Sequence, residues 1–351
     1  IGLIIIDEEH SETYKQDVKP SYHPLSVALE RARVHQCRIL LGSATPSLES
    51  KARAAKQVYQ FLHLPNRIHQ TVMPAVTIVD MTLENKSKNY SPFSRLLINE
   101  IKKTLARQEQ IILLLNRRGF SPSVNCKSCG HTFTCPSCEV SLIYHRSDES
   151  LKCHYCGHQE AYPTHCTRCG SRYIRNIGTG TQKIEQELQA IFPSLRLLRM
   201  DHDTTSRKDL HVKMIQAFDE KRYDVLLGTQ MISKGFDFPS VTLVGVINAD
   251  VGLYNGDFRN NERTFQLLTQ VAGRSGRSHL AGQAIIQTYN PQNYAIQLAA
   301  NHDYTTFFNE EMKHRKLGGY PPYTYLTLLT FQGKNIDHVE SVASYVKQEL
   351  Q

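Results

Sequence analysis

Short, dense runs of apolar residues punctuate this chain: Leu3 to Ile6, Arg38 to Leu41, Ile111 to Leu115, Leu195 to Arg199, Asp224 to Leu227, Val241 to Asn248 and Gly282 to Thr288. Such runs predict strands buried on both faces of a parallel sheet. Between them, apolar positions recur at three and four, which predicts helices over Leu25 to Val34, Phe93 to Arg107, Lys183 to Ile191, Arg207 to Phe218 and Glu262 to Val271. Strand and helix in alternation predict an α/β fold. Lys51 to Met73 read as a helix and a loose strand, and Met73 to Met81 as a link between two lobes. Past Thr288 come helices over Ala295 to Ala300 and Tyr304 to Lys316, then the break Tyr320-Pro321-Pro322-Tyr323. A strand over Thr324 to Phe331 and an amphipathic helix bearing Val339, Val342, Ala343, Val346 and Leu350 open a last domain.

One stretch breaks this rhythm. Eight of nine cysteines fall in four C-x-x-C pairs: Cys126/Cys129, Cys135/Cys138, Cys153/Cys156 and Cys166/Cys169. A two-residue gap suits one metal better than a disulfide, and two pairs close a tetrahedral site. Two structural Zn2+ ions are expected. The block interrupts a sheet lobe, so the chain must return near where it left. That favours a nested pairing, Cys126, Cys129, Cys166 and Cys169 outside and Cys135, Cys138, Cys153 and Cys156 inside, over a sequential one. His131, His154, His158 and His165 are read as loop residues, and Cys37 as a small buried apolar residue.

The strand at Leu3 to Ile6 runs into Asp7-Glu8-Glu9-His10. Acids that end such a strand emerge at the carboxyl edge of the sheet, where ligands bind. There Asp7 would hold Mg2+ through water, Glu8 would orient or deprotonate an attacking water, and His10 would report nucleotide state to a neighbouring loop. A plain acidic turn is the alternative. Gln270-Val271-Ala272-Gly273-Arg274-Ser275-Gly276-Arg277 supplies the opposite charge. Arg274 and Arg277 lie three apart and are expected on one helical face, with Gly273 and Gly276 clearing space for a phosphate.

Further positions suit a nucleic-acid strand. Tyr14, Lys15 and Tyr22 lie in a loop where aromatics interleave with lysines, which suits stacking on unpaired bases. Ser43 and Thr45 follow a strand and would bridge the acids to a bound strand. Arg117 and Arg118 would stand at the carboxyl edge of the second sheet. Thr179 and Gln182 fit a capping box, and Thr179 and Thr181 flank free helix amides that suit phosphate. Gly228 to Pro239 resembles the helicase segment that touches both nucleic acid and nucleotide, which implies that Thr229 and Gln230 meet the backbone, with Gly235 and Asp237 nearer the nucleotide. The formal charge of +8 also points to nucleic acid. Eight thiolates on two zinc ions would reduce it to about +4, so bulk charge adds little.

D-E-E-H followed by G-S-A-T-P resembles the paired segments of superfamily 2 helicases and translocases. Together with N-R-R-G-F, the cysteine block, G-T-Q-M-I-S-K-G-F-D-F-P, D-F-R-N-N-E-R-T-F-Q, Q-V-A-G-R-S-G-R and Y-P-P-Y, nearly the whole chain resembles the PriA (primosomal protein N′) family of replication-restart helicases. The resemblance implies two RecA-like lobes, the first partial, with a double-zinc insertion in the second and the start of an α+β C-terminal domain. In residue ranges that is 1–85, 86–125 with 173–300 for the second lobe, 126–172 for the insertion, and 301–351. It implies an ATP-dependent 3′→5′ DNA helicase with Mg2+, acting at stalled forks and on single-stranded DNA. Primosome proteins, single-stranded DNA-binding protein and the replicative helicase are the implied partners, in a bacterial cytoplasm near the nucleoid. It implies the nested zinc pairing as well. Where the family carries an arginine before its Tyr-His pair, this chain has Ser21.

The loop G-x-x-x-x-G-K-[ST], which such a nucleotide site needs, occurs nowhere here. The reading therefore expects a fragment truncated at both ends and inactive alone. The rival is a non-enzymatic zinc module that binds DNA or scaffolds partners. Such a module needs neither the acid pair nor the arginine pair.

Overall fold

A computed structural model of the chain describes all residues except 17–18, 65–72, 116–123, 138–140, 146–147, 154–155, 177–179, 202–207, 234–237, 254–256, 277–280, 328, 330, 332, 334 and 351. Its first unit is small. Strand β1 (Leu3–Ile6), helix α1 (Pro24–His35), strand β2 (Arg38–Leu41) and helix α2 (Leu48–Ala55) form a two-stranded parallel sheet with Leu3 opposite Arg38. Pro24 opens α1, and the His23 ring accepts from the Leu25 amide at 3.3 Å. The expectation that β1 is buried on both faces does not hold: Leu3 and Ile5 are 51% and 62% exposed. Among the described residues α1 packs on this pair of strands, and the side bearing Leu3, Ile5 and Leu40 stays open. The described part of 56–73 contains no strand.

The second lobe begins earlier than the residue pattern suggests. Strand β3 (Ala75–Asp80) is followed by α3 (Met81–Lys86), α4 (Arg95–Ala106) and β4 (Gln110–Leu114). After the cysteine-rich insertion come α5 (Thr181–Ile191), β10 (Leu197–Met200), α6 (Lys208–Asp219), β11 (Val225–Gly228), β12 (Val241–Val246), α7 (Asn260–Ala272), β13 (Gln283–Thr288), α8 (Tyr294–Ala300) and α9 (Tyr304–Leu317). The all-parallel sheet runs β10-β11-β4-β12-β13-β3. Residues 75–80, placed by sequence in a link within 1–85, pair over six positions with β13 and form its edge strand. Backbone pairing that a local pattern cannot foresee moves the lobe boundary to before Ala75.

Alternate side chains of the central strands feed two cores. Ile112, Leu114, Val244, Val246 and Ile286 face α7, α8 and α9; Ile111, Leu113, Leu243 and Ile285 face α4 and α5. Gly245 in β12 lets α4 close on the sheet, since a Cβ there would lie 2.7 Å from Leu113 Cδ2 and 3.0 Å from Leu97 Cδ1. Helix α9 belongs to this lobe, with Phe307 fully buried on Phe265 of α7 at 4.1 Å between ring centroids. The boundary expected at 301 therefore falls after Leu317.

The insertion leaves from β5 (Val124–Cys126) and returns through β9 (Ile174–Asn176), which pair antiparallel. Inside lies a three-stranded antiparallel ribbon of β6 (Ile143–His145), β7 (Ser150–Lys152) and β8 (Gln159–Ala161). After α9 the strand expected over Thr324 to Phe331 is absent among the described residues, since nothing pairs with it there. Helix α10 (Ile336–Leu350) follows with no buried residue. No helix among the described residues is long and apolar enough to cross a membrane.

Candidate functional site

Two loops of the first unit are laced together and laid against one helix of the second. Gly42 N donates to Ile6 O at 2.9 Å and Glu9 N to Gly42 O at 3.1 Å, joining the segments that follow β1 and β2. Glu8 takes a left-handed backbone (φ 49°), and its amide turns onto Asp7 Oδ1 at 2.9 Å. That conformation costs about 1–2 kcal/mol for a residue with a Cβ, and here it aims the Glu8 side chain. Asp7 is exposed, and its carbonyl accepts from Tyr14 Oη at 2.7 Å.

Helix α7 presents one residue per turn to these loops. Glu262 Oε1 accepts from Leu48 N at 2.9 Å, and Gln266 Nε2 donates to the Thr45 carbonyl at 3.3 Å. Gln270 Nε2 lies 3.2 Å from Glu8 Oε2 and 2.8 Å from His10 Nε2. The spacing of four keeps all three on one face. His10 Nδ1 is 2.7 Å from Ser43 Oγ, which also accepts from Thr45 N at 3.0 Å. The Gln270 amide nitrogen can only donate, so this network assigns His10 the tautomer with its proton on Nδ1. Gln270 then gives one N–H to His10 and the other to Glu8, and bridges the lobes.

Arg274 continues the spacing but not the helix. Gly273 caps α7, Arg274 N reaches back to Val271 O at 3.0 Å, and Gly276 takes φ 64° as its amide meets Val241 O at 3.3 Å. The expectation of a helical position is thus corrected for Arg274, which follows the Gly273 cap rather than continuing α7. Arg274 is 7% exposed. Arg277, Gly235 and Asp237 lie outside the described residues.

Sequence reasoning passed over the groups that hold these loops in place. Glu9 is buried, and its carboxylate accepts from Ser47 N (2.6 Å), Ser47 Oγ (3.1 Å) and Ser50 Oγ (3.0 Å) at the start of α2. Glu262 reaches the next amide, so two carboxylates meet the positive end of that helix. Behind Glu262 stands Arg315 of α9, 1% exposed, with Nη2 at 2.5 Å from Glu262 and other nitrogens at 3.3 Å from Glu311 and Glu49. Burial pushes the Glu262 carboxyl up to about 7; Arg315 opposes the rise and Glu49 adds to it. Burial works against the Arg315 charge, but Glu262, Glu49 and Glu311 outweigh it and raise its pKa. The visible signal was Glu262-x3-Gln266-x3-Gln270-x3-Arg274; nothing local marks Arg315.

The candidate nucleic-acid contacts divide. Lys15 and Tyr22 are exposed, on a loop pinched by a bridge between Gln16 and Tyr22. Thr229 and Gln230 follow β11 half-buried. Tyr14 and Ser43 spend their hydroxyls on Asp7 and His10 as above. Thr45 is 1% exposed beneath α7, which removes it as a strand contact. Thr181 is buried too, its hydroxyl donating to Asp201 Oδ2 at 2.6 Å. Gly180, not Thr179, is the N-cap of α5, with no side-chain cap, so the capping box fails. Arg117, Arg118 and Thr179 lie outside the described residues.

In the insertion, Cys126, Cys129, Cys166 and Cys169 place all four sulfurs within 4.8 Å of one another. Cys126 and Cys169 Sγ are 3.6 Å apart, Cys129 and Cys166 Sγ 3.7 Å. A tetrahedron with Zn–S of about 2.3 Å has S···S edges of about 3.8 Å, whereas a disulfide needs about 2.05 Å. The donor set therefore fits a metal. Cys135 groups with Cys153 and Cys156, 3.5 Å separating the Cys135 and Cys156 sulfurs; Cys138 lies outside the described residues. Burial pushes the Cys129 thiol up to about 12, so a metal ion must displace protons to bind. His131 Nε2 meets Thr167 and His165 Nε2 accepts from Arg172, each spending that nitrogen on a loop partner. Three pairs repeat one knuckle: the first cysteine's carbonyl accepts from a left-handed glycine four residues on, Gly130, Gly157 or Gly170. Gly130 also seats the module on the lobe, since a Cβ there would lie 2.5 Å from Tyr289 O. Lys127 Nζ donates to Tyr289 Oη at 2.9 Å beside it.

Residues 135–160 match the PriA DNA helicase Cys-rich region (CRR) domain, and residues 171–279 the Helicase conserved C-terminal domain. The cysteine clusters and the first match together support zinc binding. The chain is 52% identical over 351 residues to the replication restart protein PriA of Bacillus subtilis, covering 99% of this chain and 44% of that protein. It is 45% identical over 349 residues to that of Synechocystis sp., covering 97% and 42%. The chain thus spans under half the length of these relatives. Among solved structures, RecG bound to a three-way DNA junction aligns at 14% identity with TM-score 0.45, over 98% of this chain and 33% of that one.

Proposed function

For a chain that belongs, over the segment it spans, to the PriA family of replication restart proteins, we propose the acid-bearing and force-coupling part of an ATP-driven DNA helicase motor. One observation carries the reading: Glu8 of the first lobe and Gln270 of the second meet at 3.2 Å, four residues before Arg274. A zinc scaffold has no use for that contact. In this reading ATP lies between the lobes. Mg2+ would be held through water at the exposed carboxyl of Asp7 and would neutralise phosphate charge. Glu8 aligns the attacking water and accepts its proton, and Gln270 fixes the carboxylate that does so. Gln270 is also the sensor, because it gives one hydrogen bond to each of Glu8 and His10. Arg274, with Arg277 beyond it, supplies positive charge to the developing phosphoryl oxygens.

Two zinc ions, one on Cys126, Cys129, Cys166 and Cys169 and one on Cys135, Cys138, Cys153 and Cys156, would staple the insertion to the carboxyl side of the second lobe. All-cysteine sites are closed and structural. We further propose, from family membership, 3′→5′ movement on single-stranded DNA at stalled forks in a bacterial cytoplasm near the nucleoid, with primosome proteins, single-stranded DNA-binding protein and the replicative helicase as partners. Lys15 and Tyr22 are the proposed strand contacts on the first lobe, Thr229 and Gln230 on the second. The test is DNA-stimulated ATP hydrolysis by a full-length protein carrying this segment. Glu8→Gln is expected to lower kcat about 100-fold or more with ATP binding retained. Undiminished turnover would remove Glu8 from the chemistry.

A further inference from the structure

The strongest unexplained feature is the charge cluster beneath α7. Arg315 is 1% exposed, yet its guanidinium reaches three carboxyl groups and the Pro321 carbonyl at 3.1 Å. Its partners lie on three different elements: Glu49 on α2, Glu262 on α7 and Glu311 on its own α9. Buried ion clusters are weak sources of stability, because desolvation offsets attraction. What such a cluster supplies is geometry: a rigid fork fixes the relative placement of every group it touches.

Here that geometry leads to the nucleotide side. Arg315 holds Glu262; Glu262 holds the Leu48 amide; Gln266, a turn on, holds the Thr45 carbonyl; Gln270, a further turn on, holds Glu8 and His10. Leu48 is fully buried in the second lobe's core, and Tyr304 of α9 donates to the Pro46 carbonyl at 2.8 Å. Segment 45–48 of the first lobe is therefore gripped by α7 and α9 together. We propose that Arg315 and Glu262 are positioning residues that set the inter-lobe register of the Glu8–Gln270 contact, so that a displacement of α9 is felt at the catalytic loop. This rests on the motor reading for its consequence, though not for its geometry.

Two measurements separate the two ideas. In this chain, Arg315→Lys keeps the charge and loses the fork. It is expected to speed amide hydrogen exchange in the peptide holding Thr45 to Leu48 about tenfold, with β4, β12 and β13 unchanged. Unchanged exchange at Leu48 overturns the proposal; so does acceleration spread evenly through the core, the mark of plain destabilisation. In the full-length protein, Arg315→Lys is expected to lower kcat about fivefold or more while KM for ATP moves less than about twofold. Combined with Gln270→Ala the losses are expected to fall short of their product, because both act through one contact. Losses that multiply overturn the proposal. If the unaltered full-length protein is inert, the motor reading falls and the exchange result decides alone.

Discussion

Nested and sequential pairing of the four C-x-x-C motifs make opposite predictions for one double substitution. Cys126→Ser with Cys166→Ser removes two ligands of the same ion in the nested arrangement, and one ligand from each ion in the sequential one. The sulfur positions favour the first, with Cys126, Cys129, Cys166 and Cys169 inside 4.8 Å. The energetic consequence is large. The buried apolar core of the module beyond its cysteines is Val124, Phe133, Leu142 and Leu151. At about 1.5–3 kcal/mol each, these four side chains contribute about 6–12 kcal/mol. One structural zinc contributes about 10–16 kcal/mol, comparable to the whole of that core. Native mass spectrometry of the zinc-loaded protein reads the outcome. The double variant is expected to keep the inner zinc and to lose the outer, with β5 and β9 exchanging amide hydrogens fastest. Loss of both ions would refute the nested pairing, and retention of both would refute zinc ligation by Cys126 and Cys166 altogether.

Four further outcomes follow from particular contacts. Leu48→Ala deletes a fully buried side chain in the inter-lobe socket, so a loss of about 2–5 kcal/mol is expected; limited proteolysis should digest the first unit while the second lobe survives, and uniform digestion would count against a socket. Gly130→Ala forces a left-handed backbone and a Cβ contact of 2.5 Å with Tyr289 O, a cost of about 1–3 kcal/mol visible as a lowered unfolding midpoint. The Glu262 carboxyl is raised above its unfolded value of about 4.5, to about 7. Its contribution is therefore complete below pH 4.5 and is lost as pH rises through 7, by at most about 3 kcal/mol. Relative to Glu262→Gln, the unaltered chain should lose unfolding midpoint between pH 5 and pH 8; a gain would reverse the sign of the shift. Gln270→Ala in a full-length protein is expected to lower kcat about tenfold or more, and normal turnover there would make the Glu8 contact incidental.

The alternation of buried runs with helical periodicity was enough to read a parallel α/β lobe, because central strands such as Gln110–Leu114 are covered on both faces. Four cysteine pairs were enough to read a metal module, because ligand chemistry is local. Asp7, Glu8 and Gln270 could be singled out for the same reason, as residue types in motifs. Pairing at a distance was not legible. Ala75–Asp80 looks like a connector until β13 offers it an edge, and Thr324 to Phe331 looks like a strand although nothing pairs with it among the described residues. Thr45 and Thr181 carry hydroxyls suited to phosphate, yet packing turns both inward. Arg315 lies 53 residues from Glu262 and 266 from Glu49, and no periodicity spans such gaps. A one-dimensional pattern records which groups are present and which face of their own element they share. Which charges meet in the dark between elements depends on how those elements stack, and here the stacking of α7 on the first lobe brings Gln270 to Glu8 and His10.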